Sequence, residues 1–417
     1  MKKNKVSLLS LGCPRNLVDS EAILGRLQNK GYEISDIKDA EVAIVNTCAF
    51  IKDAKAESID AILDLLELKK EGRLKKVIVY GCLVQRYESA LKKEFPEVDA
   101  FLGTISLNHT KDRFPITAEH FAYLKVCEGC INKCSFCIIP KIKGKFTSEK
   151  IDSLLERVGA FDKSKIKELN IIGQDTSSYG LDIYGTRKLP ELLKNIFMHS
   201  KNIPWVRLLY LYPHYDLVDG ILDLMQREPR LCKYIDLPVQ HVNNRILKLM
   251  NRRTTKSDII KTIELIRKKV PEAAIRTSLI VGFPSETDKE FKELFSFVKE
   301  AKFERLGAFI YSPEEGTPAY KMKGQVAESV KKSHLNEIML LQQEISKDFN
   351  KQMLGKTVDV LIDEIEGESY LGRTQFDAPE VDGMVYVKSL RVLKPGEFVK
   401  VKINDTLEYD LVGEVQS

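Results

Sequence analysis

Between residues 5 and 313 the chain alternates short apolar runs with amphipathic helical stretches. Apolar runs of this kind form parallel strands buried on both faces by the helices that connect them. The first three runs, LLSLGC, AIVNTC and VIVYGC, end at Cys13, Cys48 and Cys82, at intervals of 35 and 34 residues that suit a βαβ unit. In such sheets ligands bind outside the carboxyl ends of the strands. Each cysteine falls just past such an end, so the three are expected to converge on one rim. Packing alone would make them three buried structural cysteines, but three identical placements favour convergence.

Residues 105–120 read as a linker, after which the alternation resumes with six further strand candidates. These are YLKV from Tyr123, ELNIIGQD (168–175), WVRLLYLYP (205–213), KYIDLPVQH (233–241), AIRTSLIVGFP (274–284) and RLGAFIYSP (305–313). Six βα units imply an incomplete parallel barrel, since eight close the usual form. Residues 325–352 read as a long polar helix. The last sixty residues change to short β-type runs (TVDVLIDEI, GMVYVKSLRVL, EFVKVKIND) divided by Gly, Pro and Asp turns, which suggest a small antiparallel barrel of oligonucleotide-binding size. The expected fold class is therefore α/β, with units at 1–115, 116–352 and 353–417.

Charged residues make up 30% of the chain and hydrophobic ones 43%, which suits a soluble globular protein of two or three domains. The apolar run at the N-terminus is too short for a signal peptide or a membrane span. Eight cysteines without an export signal point to a reducing cytoplasm and metal ligation rather than to disulfides. Charge is uneven: residues 356–417 carry 7 Lys+Arg against 13 Asp+Glu, net −6, so the remainder of a chain of net +5 is +11.

Cys130, Cys134 and Cys137 follow the first strand of the second unit in the spacing Cys-x3-Cys-x2-Cys. Two zinc knuckles need a longer loop between them, and bacterial ferredoxin runs space their first ligands differently. Three thiolates without a nearby fourth leave one iron of a four-iron cluster open to a non-protein ligand. Cys13, Cys48 and Cys82 offer a second such set. Phe136 precedes the last motif cysteine, where an aromatic ring can stack on an adenine. Gly173, Gln174 and Asp175 end the second strand, Gln240 and His241 the fourth, and Gly282-Phe283-Pro284 turns the fifth, within which Arg276 lies. Singly each reads equally as a turn glycine, a solvated amide or a surface histidine, but their joint position at one barrel end favours a ligand pocket.

With these motifs the chain resembles the radical S-adenosylmethionine (SAM) methylthiotransferase family over nearly its full length. The resemblance implies two 4Fe-4S clusters: one on Cys130, Cys134 and Cys137, the other on Cys13, Cys48 and Cys82. In that family the open iron of the central cluster binds SAM. Reduction yields a 5′-deoxyadenosyl radical that abstracts hydrogen from an unactivated C–H, while the N-terminal cluster handles the sulfur. Phe136, Gly173, Gln174, Asp175, Gln240, Arg276 and Gly282 are the implied SAM contacts, and no catalytic acid or base is nominated. The resemblance also implies a cytoplasmic monomer, an electron donor such as flavodoxin or ferredoxin, and a C-terminal TRAM barrel.

Two branches of the family modify tRNA adenosines and one modifies an aspartate of ribosomal protein S twelve. The stretch from Gly12 to Glu21, GCPRNLVDSE, resembles the ribosomal-branch signature GCPKNLVDSE with Arg15 for Lys. So do LGAFxYSPEEGTP (306–318) and DAPEVDG (377–383). A terminal barrel serving tRNA needs basic residues to neutralise phosphates, whereas a net −6 suits a basic protein partner. The basic body is expected to touch ribosomal RNA. Rival readings are a tRNA methylthiotransferase and an iron–sulfur scaffold or RNA-binding module without turnover. Cys127 reads as a bystander thiol, Cys232 as a buried small hydrophobe, and Trp205 as packing. Lys143 and Glu149 depart from the family pattern near the cluster loop and leave substrate docking open.

Overall fold

A computed structural model describes residues 4–104, 113–367 and 369–416; part of the expected linker, 105–112, lies outside the described residues. The N-terminal sheet contains β1 (Lys5–Ser10), β2 (Glu33–Ile34), β3 (Val42–Thr47), β4 (Lys76–Gly81) and β5 (Ala100–Leu102), in the order β2-β1-β3-β4-β5. Every pairing is parallel. Helices α1 (Pro14–Asn29), α2 (Lys52–Lys70) and α3 (Cys82–Glu94) cross over between the strands. Val45, Val77 and Val79 are fully buried against Ile62 of α2 and Leu83 of α3, as β-branched residues of a doubly covered sheet are. Pro14 occupies the first turn of α1, where its fixed φ suits the helix and no amide hydrogen is needed.

The middle of the chain supplies β6 (Phe121–Lys125), a small antiparallel pair β7 (Cys127–Glu128) and β8 (Thr147–Ser148), and then β9 (Glu168–Ile172), β10 (Trp205–Leu208), β11 (Tyr234–Asp236), β12 (Ala274–Val281) and β13 (Arg305–Ile310). Strands β6, β9 and β10 form one parallel sheet and β11, β12 and β13 another. A parallel bridge between Val206 and Leu231 joins them in chain order. This is the expected open barrel of six strands. Its helices are α4 (Ile139–Ile142), α5 (Ile151–Asp162), α6 (Leu189–His199), α7 (Tyr215–Arg227), α8 (Asn244–Leu249), α9 (Lys256–Lys269), α10 (Asp288–Ala301) and the expected long helix, α11 (Glu328–Lys351). Helix α11 packs along β13 and α1 along β6, so both edges of the open barrel are covered.

The remaining strands, β14 (Thr357–Glu366), β15 (Ser369–Arg373), β16 (Val385–Lys388), β17 (Phe398–Thr406) and β18 (Leu411–Val415), close in the order β14-β15-β16-β18-β17. The barrel is antiparallel as expected except between β16 and β18, which run parallel. It docks on the amino ends of the barrel strands. Trp205 at the start of β10 meets Phe398 edge-on with centroids 4.8 Å apart, which bears out its packing role. Arg305 at the start of β13 is paired with Asp377 at 2.5 Å, and His120 beside β6 with Asp363 at 2.7 Å. Cys232, also as expected, is buried against Tyr234 and Phe121. The barrel interior is filled from both sides, by Leu17 and Val18 of α1 and by Ala378 and Leu361 of the terminal module.

Candidate active site

Strands β1, β3 and β4 are neighbours in register, with Ser10 opposite Asn46 and Asn46 opposite Tyr80. Cys13, Cys48 and Cys82 therefore leave the sheet side by side. Gly12 has φ +89°, and a Cβ there would stand 2.8 Å from Cys48 Cβ, so the Cys13 and Cys48 loops touch through a position only glycine fills. Gly81, at φ +105°, turns the chain into Cys82 at the same close quarters, where a Cβ would meet the Thr47 carbonyl at 2.8 Å. Asn16 ties the loops together: its Nδ2 donates to the Leu11 carbonyl at 3.1 Å, and the Cys82 thiol lies 3.8 Å from its Oδ1. Ser58 of α2 accepts from the Cys48 amide and donates to its carbonyl, both at 2.9 Å.

The second set lies on the loop after β7. Gly129 (φ +70°) opens it against the Lys145 carbonyl. Asn132 donates to Asp175 Oδ2 at 2.7 Å, the Ser135 hydroxyl donates to the Leu249 carbonyl at 2.7 Å, and Asn251 donates to the Lys133 carbonyl at 2.6 Å. A loop fixed at three points is preorganised for ligation. Arg252, stacked 4.0 Å over Tyr212, places Nη1 3.9 Å from Cys134 Sγ.

Burial drives most of these thiols toward the neutral form. It pushes Cys130 up to about 11, and Cys82 and Cys137 up to about 12, with Lys143 pulling Cys82 the other way. Cys13 is the exception: burial opposes ionisation, yet Arg15 and the Asn16 amide together hold it below its ordinary value. Thiols of this kind release protons to a strong positive charge such as metal ions supply. Within each set the thiols sense one another's charge. Among the described residues no three His, Cys, Asp or Glu side chains converge as ligands of a single metal ion. Ligands of a multi-iron group need not do so, because each thiolate binds its own iron. The donor sets fit such groups.

Between the two sets runs a polar seam. Arg15 Nη1 donates to the Gly173 carbonyl at 2.9 Å, its guanidinium lies 4.3 Å over the Tyr210 ring, and its charge reaches both Cys13 and Cys137. Lys125 is paired with Asp19 of α1 and with Glu128, the latter at 2.5 Å. Lys143 bridges the same acids at 3.2 and 3.5 Å. On the other flank Lys55 and Arg86 of the N-terminal unit both reach Glu314 Oε2, at 2.8 and 3.0 Å. The N-terminal unit thus sits on the carboxyl rim of the barrel, with Arg15 of its first cysteine loop against the end of β9.

The expected SAM contacts separate into two groups. Phe136 is partly buried against Phe283 and Tyr311. Gly173 closes β9 where a Cβ would stand 2.5 Å from Cys127 Sγ. Gln174 donates to Glu128 at 2.8 Å and leaves its buried Oε1 without a partner. Gln240, at φ 70°, exchanges backbone hydrogen bonds with Ser278 and Ile280. Gly282, also at φ 70°, donates its amide to Glu286 at 3.1 Å. Phe136 stands on the cysteine loop itself and the other four at or just past strand ends on the same side. Asp175 stands there too, but accepts from Asn132, Ser177 and Ser178, so it fixes the loop. Arg276 is not brought to the rim: it lies in the barrel interior, 3.4 Å from Asp236 and 3.3 Å from Asp382. His241 is buried, its Nε2 3.6 Å from Glu286.

Of the residues set aside as departures, Lys143 belongs to the seam. Glu149 is buried, paired with Arg157 and accepting from Ser153 at 2.6 Å. Cys127 is buried in the barrel core beside the Asp175 carbonyl. Sequence reasoning missed Asn132, Glu128, Arg252 and Glu286, polar residues whose partners lie far along the chain. A cleft of about 1520 Å³ between the foot of the barrel and the terminal module, lined in part by Trp205, Arg267 and Phe349, is remote from the cysteines.

An open six-stranded parallel barrel with a three-cysteine loop at its carboxyl rim is the framework of a radical SAM enzyme. Family models agree: "Uncharacterized protein family UPF0004" matches residues 5–103, the radical SAM superfamily 124–298 and the TRAM domain 354–415. The ribosomal protein uS12 methylthiotransferase RimO of Clostridioides difficile is 47% identical, over 99% of this chain and 98% of its own. The Clostridium tetani protein of the same name is 42% identical, over 100% and 99%. The chain belongs to the ribosomal protein uS12 methylthiotransferase family. Among solved structures, the radical SAM methyltransferase TsrM of Kitasatospora setae shares the fold, with a TM-score of 0.52 and 12% identity over 88% of this chain and 79% of its own. Among the described residues no helix is long and apolar enough to cross a membrane.

Proposed function

We propose that this protein adds a methylthio group to the β-carbon of an aspartate in ribosomal protein uS12, with Cys13, Cys48 and Cys82 holding one 4Fe-4S cluster and Cys130, Cys134 and Cys137 another. The observation that supports the reading is that one three-cysteine set follows adjacent parallel strands of the N-terminal sheet, while the loop with the other follows the first barrel strand, and Arg15 reaches from the first set to the end of β9. When bound, the loop cluster and SAM supply a carbon radical able to remove hydrogen from an unactivated C–H, which is the cofactor's chemistry rather than the protein's.

The chain's own residues position and shield. Asn132, Ser135 and Asn251 fix the loop before anything binds. Gly173, Gln174, Gln240 and Gly282 offer close backbone approach and polar groups for SAM, and Phe136 a ring face. Leu17, Val18 and the seam of Asp19, Lys125, Glu128 and Lys143 close the barrel mouth against water. No side chain is assigned a proton-transfer role. The working units are 1–115, 116–352 and 353–417, in a cytoplasmic monomer fed by a flavodoxin or ferredoxin, with the basic body against ribosomal RNA.

The test is reconstitution with iron and sulfide, followed by reduction and incubation with SAM and uS12. Mass spectrometry is expected to show one methylthio group gained by uS12 and none by tRNA. Cys13→Ala should still cleave SAM and give no methylthio product. A methylthio group on tRNA with uS12 unchanged would overturn the reading.

A further inference from the structure

We propose that Arg15 binds the side-chain carboxylate of the aspartate that is modified. The inference rests on the uS12 reading above and adds the residue that selects the acceptor.

Arg15, like Arg252 beside Cys134, differs from the arginines that are neutralised inside the molecule. Arg207 is paired with Glu168 at 2.7 Å, Arg305 with Asp377 at 2.5 Å, Arg373 with Glu168 and Asp363 at 2.7 Å each, and Arg276 with Asp236 and Asp382. Among the described residues Arg15 has no carboxylate in an ion pair. Glu128, whose charge it senses, is committed to Lys125, Lys143 and Gln174. A guanidinium carries five donors in a planar fork; Arg15 uses one on the Gly173 carbonyl and another on the Cys13 thiol, which leaves the rest of the fork open. The Tyr210 face holds the fork in place. Arg15 is only half-buried, so an incoming anion can reach it.

Position supplies the rest. Arg15 lies two residues beyond Cys13, and its Nη1 reaches across to the Gly173 carbonyl at the carboxyl end of β9, 2.9 Å away. The β-carbon of an aspartate is bonded directly to its carboxylate carbon. A carboxylate held on this fork therefore holds the carbon to be modified between the two thiol sets, one needed to take its hydrogen and the other to deliver sulfur. A planar fork also discriminates: an amide of the same shape cannot accept two charge-assisted hydrogen bonds.

The experiment is a binding cycle on the reconstituted, unreduced enzyme. Probes are uS12, uS12 with its acceptor Asp changed to Asn, and SAM alone, titrated against wild type, Arg15→Gln and Arg15→Lys. Wild type is expected to bind the Asn form about ten- to a hundredfold more weakly than the Asp form, the scale of hydrogen bonds to a charged partner. Arg15→Gln should bind both forms equally and weakly, Arg15→Lys should keep part of the preference, and SAM affinity should fall by far less than the Asp preference. Matching melting temperatures of the three enzymes exclude a folding defect, and Arg15→Lys alone carries the test if Arg15→Gln fails to fold. An undiminished Asp preference in either variant overturns the proposal, as does a loss confined to SAM, which would make the carboxylate that of SAM. If wild type binds uS12 but ignores the Asp-to-Asn change, this inference falls alone. If wild type binds uS12 no better than an unrelated basic protein, the substrate reading falls and takes this inference with it.

Discussion

Arg276 of the barrel and Asp382 of the terminal module form an ion pair, Nε to Oδ1 at 3.3 Å, inside the molecule. The other oxygen of Asp382 accepts from Tyr234 at 2.6 Å and from the Ala378 amide at 2.9 Å. Neighbouring Glu380 accepts from Tyr123 at 3.3 Å, and Asp377 holds Arg305. The DAPEVDG stretch, three of whose residues are acidic, plugs the foot of the barrel. Exposed Glu364, Glu366, Asp405, Glu408 and Glu414 remain available to a partner, so the surface charge is less acidic than the composition alone implies.

Removing Asp377 leaves Arg305 buried without its partner, both side chains being under a tenth exposed. Asp377→Ala is expected to loosen the terminal barrel at a cost of about 3 kcal/mol. Trp205, the only tryptophan, packs on Phe398 across this junction, so its fluorescence in a urea titration reports the change. An unaltered midpoint would contradict the assignment.

Gly81→Ala forces a Cβ onto the Thr47 carbonyl at a φ that side chains avoid. The N-terminal thiol set is expected to lose its cluster while the barrel loop keeps its own. Iron and sulfide analysis should fall from about eight irons per chain to about four. Eight in the variant would show that the Cys82 turn tolerates a side chain.

Glu314 joins the N-terminal unit to the barrel through Lys55 and Arg86. Glu314→Ala is expected to leave SAM cleavage intact and to slow methylthio transfer about tenfold, because misplacement between reacting centres is costly. Assaying deoxyadenosine and modified uS12 side by side separates the two effects. Equal losses in both would mean that the pair serves the barrel alone.

Glu290 is held at about 2 by hydrogen bonds from Arg245 and from the Thr287 amide and hydroxyl, against an ordinary value of 4.5. Its folded-state pKa is depressed, so it stabilises the protein fully above pH 4.5, and that contribution is lost as pH falls toward 2. Urea midpoints for Glu290→Gln and wild type should therefore differ most above pH 4.5 and converge below it. A constant gap across this window would remove the carboxylate as the cause.

The sequence revealed what is local and repeated. Six barrel strands and three strand-end cysteines each announce themselves as an apolar run with a fixed sequel. Strands β2 and β5 are two and three residues long and leave no periodic trace. Strands β15 and β18 were missed because Gly372 and Gly413 interrupt their patterns, each where a Cβ would collide with a neighbouring strand. Arg276 reads as a ligand contact because it lies in a barrel strand, and only the tertiary fold shows Asp382 waiting 106 residues away. Arg15 and Gly173 are 158 residues apart, so the contact that links the two cysteine sets has no local signature.

The most direct measurement compares ribosomal protein uS12 and tRNA, by mass spectrometry, from wild-type cells and from a strain lacking this gene. The expected result is that uS12 from the deletion strain lacks the mass of one methylthio group on an aspartate, with tRNA unchanged. An unchanged uS12 mass, with the methylthio group missing from tRNA instead, would contradict it.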